Sequence, residues 1–129
     1  MSWKPKGYSS VSPYLVVDDA RALIDFLKEA FDGEELRVYE RLDGSIMHSE
    51  VSLDDSVIMI GESGEGWPSY PTHIHLYVKD SLNTYNRAIN AGGKSLQEPV
   101  NKEGDPDRRG GVVDPAGNTW WISTQLTED

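Results

Sequence analysis

The residues able to do chemistry in this chain fall into pairs. His48 and Glu50 stand two apart, as do His73 and His75, and in a strand side chains two apart share one face of the sheet. A His-x-Glu pair suits acid/base work, with the carboxylate fixing the imidazole tautomer. A His-x-His pair offers two nitrogen donors, which serve either as the start of a divalent-metal site or as hydrogen-bonded histidines of a cleft. Arg108 and Arg109 either bind an anionic substrate group or pair with Asp105, Asp107 or Asp114 nearby. Tyr14 and Tyr77 supply walls with a polar tip, Met59 a thioether, and Trp121 a broad indole surface. Without any Cys, thiol catalysis, disulfides and thiolate metal sites are excluded.

These residues need strands to present them, and the pattern supplies strands in two similar sets. Tyr14-Leu-Val-Val-Asp-Asp19 precedes a helical pattern ending near Gly33, and His75-Leu-Tyr-Val-Lys-Asp80 precedes another ending at Gly92-Gly93. The period is about half the chain, the mark of internal duplication. Apolar spacing predicts the first helix through Leu23, Phe26, Leu27, Ala30 and Phe31, with Asp18 or Asp19 as its cap. Strands are predicted over residues 11–17, 34–42, 45–53, 56–61, 72–79 and 94–102, the last interrupted at Pro99 and so placed at an edge or a bulge. Asp114-Pro-Ala-Gly-Asn118 has turn chemistry between Val112-Val113 and a return strand over 119–124, so the chain closes on a hairpin.

The domain reading follows: a tail over 1–10, a β-α-β-β-β module over 11–61, a connection over 62–71, and a second such module over 72–125. The connection holds Trp67 and Tyr70 and is either plain linker or an aromatic lid. A module of ~60 residues is marginal alone, so the two must share a core or a partner. Strand alternation assigns Leu15, Val17, Met47, Val51, Ile58, Ile60, Ile74, Leu76, Val78, Trp120 and Ile122 to the face under the helices. It assigns Ser12, Tyr14, Val16, His48, Glu50, Val57, Met59, His73, His75, Tyr77, Thr119, Trp121 and Ser123 to the other face, a mixture suited to a ligand cleft.

A formal net charge of -10 argues against nucleic acid and anionic membrane as partners and favours neutral or cationic small molecules. The start of the chain lacks a signal-like apolar run and no stretch is long enough to span a bilayer, so a cytoplasmic location is expected.

The chain resembles the vicinal-oxygen-chelate superfamily of glyoxalase I, bleomycin-resistance proteins and extradiol dioxygenases, and within it the PhnB-like branch. The resemblance rests on Asp107-Arg-Arg-Gly-Gly-Val-Val-Asp-Pro-Ala-Gly-Asn-Thr-Trp-Trp-Ile-Ser-Thr124 and, more weakly, on Ile46-Met-His-Ser-Glu-Val51. Ala116 and Asn118 depart from the branch pattern, where Phe and His are usual. The resemblance implies an α+β fold in which two tandem β-α-β-β-β modules form a curved half-barrel sheet with helices on the outer face, in a homodimer. It also implies metal ligands at Ser12, Met59, His73 and Trp121, of which only His73 is a conventional donor. The expectation is therefore a metal-independent small-molecule binder, with Tyr14, Met59, His73, His75, Tyr77, Arg108 and Trp121 on the ligand and no resident cofactor. The alternative is an enzyme of the glyoxalase type using a relocated divalent metal, at His73 with His75, or His48 and Glu50 as acid and base.

Overall fold

The computed structural model describes residues 2–128. Its order is β1 (Tyr14–Val17), α1 (Ala20–Phe31), β2 (Glu34–Glu40), β3 (Ile46–Leu53), β4 (Ser56–Glu62), β5 (His73–Tyr77), α2 (Ser81–Asn90), β6 (Lys94–Asn101), β7 (Asp107–Val113) and β8 (Thr119–Gln125). The strands make two open four-stranded sheets, ordered β1-β4-β3-β2 and β5-β8-β7-β6. In each sheet the first strand lies parallel to the last strand of its own half and the remaining pairs are antiparallel, so the duplication seen in the residues is also a duplication of topology.

Both helices begin as their residues dictate. Asp19 accepts a hydrogen bond from the Ala22 amide at 3.1 Å and Asp80 one from Asn83 at 3.2 Å, each satisfying a first-turn donor that the helix leaves open. The apolar stripe of α1, through Leu23, Phe26, Leu27 and Ala30, is fully covered. It packs on the back of the first sheet and against α2, so the helices of the two halves meet over one shared core. Phe31 lies 5.0 Å from the Trp120 ring across that junction, and Arg87 of α2 reaches Asp32 at 2.7 and 3.0 Å and the Glu29 carbonyl at 2.8 Å.

Three details differ from the residue pattern. Regular pairing of β1 starts at Tyr14 rather than Val11, because Pro13 has no amide hydrogen, although its carbonyl still accepts from Met59 at 3.0 Å. Met47 faces solvent, half exposed, and Ile46 takes the core position. The cause is a β-bulge: Tyr39 pairs with His48 but Glu40 pairs with Ile46, leaving Met47 as the extra residue and inverting parity on its N-terminal side. The strand predicted over 34–42 stops at Glu40, where Arg41 and Ser45 close the turn. Pro99 sits on the outer strand β6, beside register shifts between Ser95 and Val100, the position a residue without an amide hydrogen tolerates.

Among the described residues no helix is long and apolar enough to cross a membrane.

Candidate functional site

Each sheet turns one face to its helix and leaves the other open, and the open faces hold different chemistry. On the first sheet, His48 and Glu50 do touch, with His48 Nε2 2.8 Å from Glu50 Oε2. A carboxylate only accepts, so the imidazole proton sits on Nε2 and leaves Nδ1 as an acceptor for the Tyr14 hydroxyl at 3.2 Å. The second oxygen of Glu50 accepts from Tyr8 at 2.5 Å, and Arg37 lies 3.7 Å away with its guanidinium over the Tyr8 ring. Burial pushes the Glu50 carboxyl up. The hydrogen bonds from Tyr8 and His48 and the charge of Arg37 outweigh it, so the group stays ionised below the usual glutamate range. The same bond raises the Tyr8 hydroxyl.

Tyr8 lies in the segment read as a tail, and the fold brings it onto Glu50 across 42 residues of sequence. No periodicity announces it. Trp67, from the connection, stands edge-on to Tyr14 at 6.3 Å, and Tyr39 stacks on His48 at 6.2 Å.

The second sheet presents His73, His75 and Tyr77 from β5 beside Thr119, Trp121 and Ser123 from β8. Arg109 of β7 joins them, since it pairs with Ser123. Its Nε donates to Ser123 Oγ at 2.9 Å, and Ser123 in turn reaches His75 Nε2 at 3.0 Å. Its remaining nitrogens reach Asp105 at 2.9 Å and Asp107 at 3.0 Å, and Tyr77 donates to Asp107 at 2.6 Å. Burial and the Arg109 charge lower the His75 pKa, Asp107 and Asp105 opposing them, so His75 is a neutral imidazole at pH 7 with its proton on Nδ1. Trp121 lies parallel to His73, 9° between planes at 6.2 Å, and its indole donates to His73 Nδ1 at 3.1 Å. A cavity of about 380 Å³ opens here, lined by His75, Gln97, Val100, Lys102, Asp105, Arg109 and Trp121. A larger groove, about 610 Å³, lies between the end of α1 and α2, bordered by the Arg87–Asp32 pair and reaching Tyr77.

Arg108, expected on the ligand, points the other way. It donates to Ser81 Oγ at 2.9 Å and Asp80 at 3.2 Å and ties β7 to the start of α2, and Arg109 takes the cleft position. The hairpin register carries that signal: Val113 opposite Thr119 makes Arg109, not Arg108, share the face of Trp121. Asn118, a departure from the branch pattern, is fully buried and structural. Its Oδ1 accepts from the Thr72 amide at 3.0 Å and its Nδ2 donates to Asp114.

The four positions where the resemblance implies metal ligands do not make a donor set. Ser12 offers one hydroxyl, buried without a protein partner, Met59 a thioether, Trp121 no lone pair, and Nδ1 of His73 already receives the indole proton. A relocated site at His73 with His75 fares no better, because the Arg109 guanidinium, 3.4 Å from His75 Nε2, repels a cation at the nitrogen it would need. Among the described residues no group of three or more His, Asp or Glu side chains is gathered as a metal would require.

The family model described as the glyoxalase/bleomycin resistance protein/dioxygenase superfamily matches residues 9–122. The uncharacterized protein Mb0911c of Mycobacterium bovis is 32% identical over 130 residues, covering 92% of this chain and 85% of the relative. Among solved structures, TioX from Micromonospora sp. ML1 superimposes with a TM-score of 0.78 at 21% identity, over 92% of this chain and 99% of TioX. A PhnB protein from Bacillus cereus gives 0.66 at 15% identity, over 90% of this chain and 99% of its own. At such identities the two structures speak for the fold alone.

Proposed function

The chain belongs to the glyoxalase/bleomycin resistance protein/dioxygenase superfamily, and from that premise we propose that it is a metal-independent binding protein for planar, neutral or cationic small molecules, of the PhnB-like branch. The observation that carries this reading is the Trp121 surface beside a cavity whose polar groups already answer one another. Arg109 is paired with both Asp105 and Asp107, and Lys102, on Gln97, brings the positive charges level with those two carboxylates, so the lining does not call for an anion. The size, about 380 Å³, is within the range of small-molecule sites. Stacking on the indole supplies contact energy, and the net charge of -10 draws cations at long range. The hairpin motif from Asp107 to Thr124 supports the branch.

We read residues 11–125 as one domain of two modules that works as a homodimer, with Tyr8 joining the preceding segment to the first sheet. Both open faces and the outer strands β1 and β5 offer surface for a second copy. The absence of Cys agrees with a reducing, cytoplasmic setting.

The test is titration of a planar cationic acridine, followed by calorimetry. Saturable binding that Trp121→Ala weakens by about tenfold or more, with Trp67→Ala as a control, is the expected result. Binding left unchanged by Trp121→Ala refutes the assignment.

A further inference from the structure

The groove of about 610 Å³ between the end of α1 and α2 lies where the two halves of the chain differ. In the second half, the corner between the end of the helix and the sheet is filled by the five-residue turn from Asp114 to Asn118. Pro115 there lies 4.0 Å from where a Cβ on Gly92 would stand, and Ala116 packs against the core. The first half makes the corresponding turn with Asp54 and Asp55 alone, two residues against five. The shorter turn leaves an apolar floor open, with Ala30 and Leu53 buried at its base and Phe31, Leu76 and Val78 half-buried along it. The rim is charged. Arg87 is occupied by both oxygens of Asp32, and Asp80 accepts from the Asn83 amide and from Arg108. Among the described residues, Asp54 and Lys79 have no opposite charge beside them, and the side chains of Asn83 and Thr84 have no hydrogen-bond partner in the protein. Asp54 stands at φ 53, where glycine would sit without strain, and the carboxylate placed there instead makes no bond to the rest of the chain.

One unanswered charge of each sign above an apolar floor is complementary to a molecule with the same three parts. We propose that this groove is a second binding site, for small zwitterions with an apolar body, the class to which apolar α-amino acids belong. The ammonium meets Asp54, the carboxylate meets Lys79 with the Asn83 and Thr84 side chains, and the apolar body lies on Phe31, Leu53 and Leu76. A simple cation or a simple anion leaves one rim charge unanswered and faces repulsion from it. The chain's charge of -10 draws cations at large, whereas a zwitterion has no net charge and is selected by the local pair. The volume is within the range of small-molecule sites. No lining residue is shared with the cavity beside Trp121, so the two sites are separate.

The probes are L-phenylalanine and two molecules that keep its body and only one of its charges, phenethylamine and hydrocinnamate. In NMR titrations of the full chain, L-phenylalanine should saturate with a Kd on the order of 1 mM, in keeping with its size. It should shift the amides of Leu53, Leu76 and Thr84 and leave the Trp121 indole signal in place. The two one-charge probes should bind about fivefold more weakly, the worth of one ion pair at a rim open to water. Asp54→Asn keeps a residue that accepts the left-handed backbone, and it should weaken L-phenylalanine and phenethylamine while sparing hydrocinnamate. Lys79→Met should weaken L-phenylalanine and hydrocinnamate while sparing phenethylamine. No saturation below ~10 mM, shifts centred on Trp121, or affinities that neither variant changes overturn the site. Equal binding of all three probes overturns the zwitterion assignment. Acridine titration reports on the Trp121 cavity, so failure there is distinct from failure here.

Discussion

His75 shows how a single residue acquires its properties from neighbours far away in sequence. Burial and the Arg109 charge hold its folded pKa below the unperturbed value of about 6.5. A depressed folded value means that the unfolded chain takes up the proton first. The stability due to neutral His75 is therefore full above pH ~6.5 and declines as pH falls through the folded value. NMR titration should place His75 below the ordinary histidine midpoint. Arg109→Gln should raise it, since the opposing Asp105 and Asp107 remain, and a midpoint unmoved by Arg109→Gln refutes the cause given. The adjacent indoles make a second contrast at this scale. Trp120 is fully buried and donates to Asp114, so Trp120→Ala should destabilise by about 3–5 kcal/mol, whereas Trp121→Ala should be milder in denaturant melts and act chiefly on binding. Equal destabilisation would mean that the two rings do not occupy different environments.

At the scale of elements, the closing hairpin is held by its turn. Asp114, 4% exposed, accepts from the amides of Ala116 and Asn118 at 2.8 and 3.0 Å, from the Asn118 side chain and from the Trp120 indole. Removing that carboxylate leaves several buried donors unmatched together. Asp114→Ala should cost about 3–5 kcal/mol in chemical denaturation, and a loss under ~1 kcal/mol would show that the turn stands without it. The turn was legible from Asp-Pro-Ala-Gly-Asn, and the cap of the first helix to within Asp18 or Asp19, because both depend on residues within a few positions. The bulge at Met47 was not. A strand can absorb an extra residue wherever its partner permits, and the permission here comes from β2.

For the whole molecule, the helices bring the two halves onto one core while each open face keeps exposed rings, with Tyr39 50%, Trp67 48% and Tyr77 61% exposed. Such surface is what a second copy would cover. Light scattering at micromolar concentration should report twice the 14.4 kDa chain mass, and a monodisperse 14.4 kDa species would rule out the homodimer.

The residue order by itself determined the duplication, the two helices, the final hairpin and the parity that separates Trp120 from Trp121. Each follows from local periodicity and backbone preference, which neighbours in sequence suffice to set. Only the tertiary structure decided which polar groups meet. Tyr8 on Glu50, Tyr14 on His48, Arg109 on His75 and Arg108 on Ser81 span 27 to 42 residues, and nothing in either partner's surroundings names the other. Strand parity says which face a donor joins. The acceptor waiting there depends on register, bulges and the path of the tail, which are fixed when the sheets close over the common core.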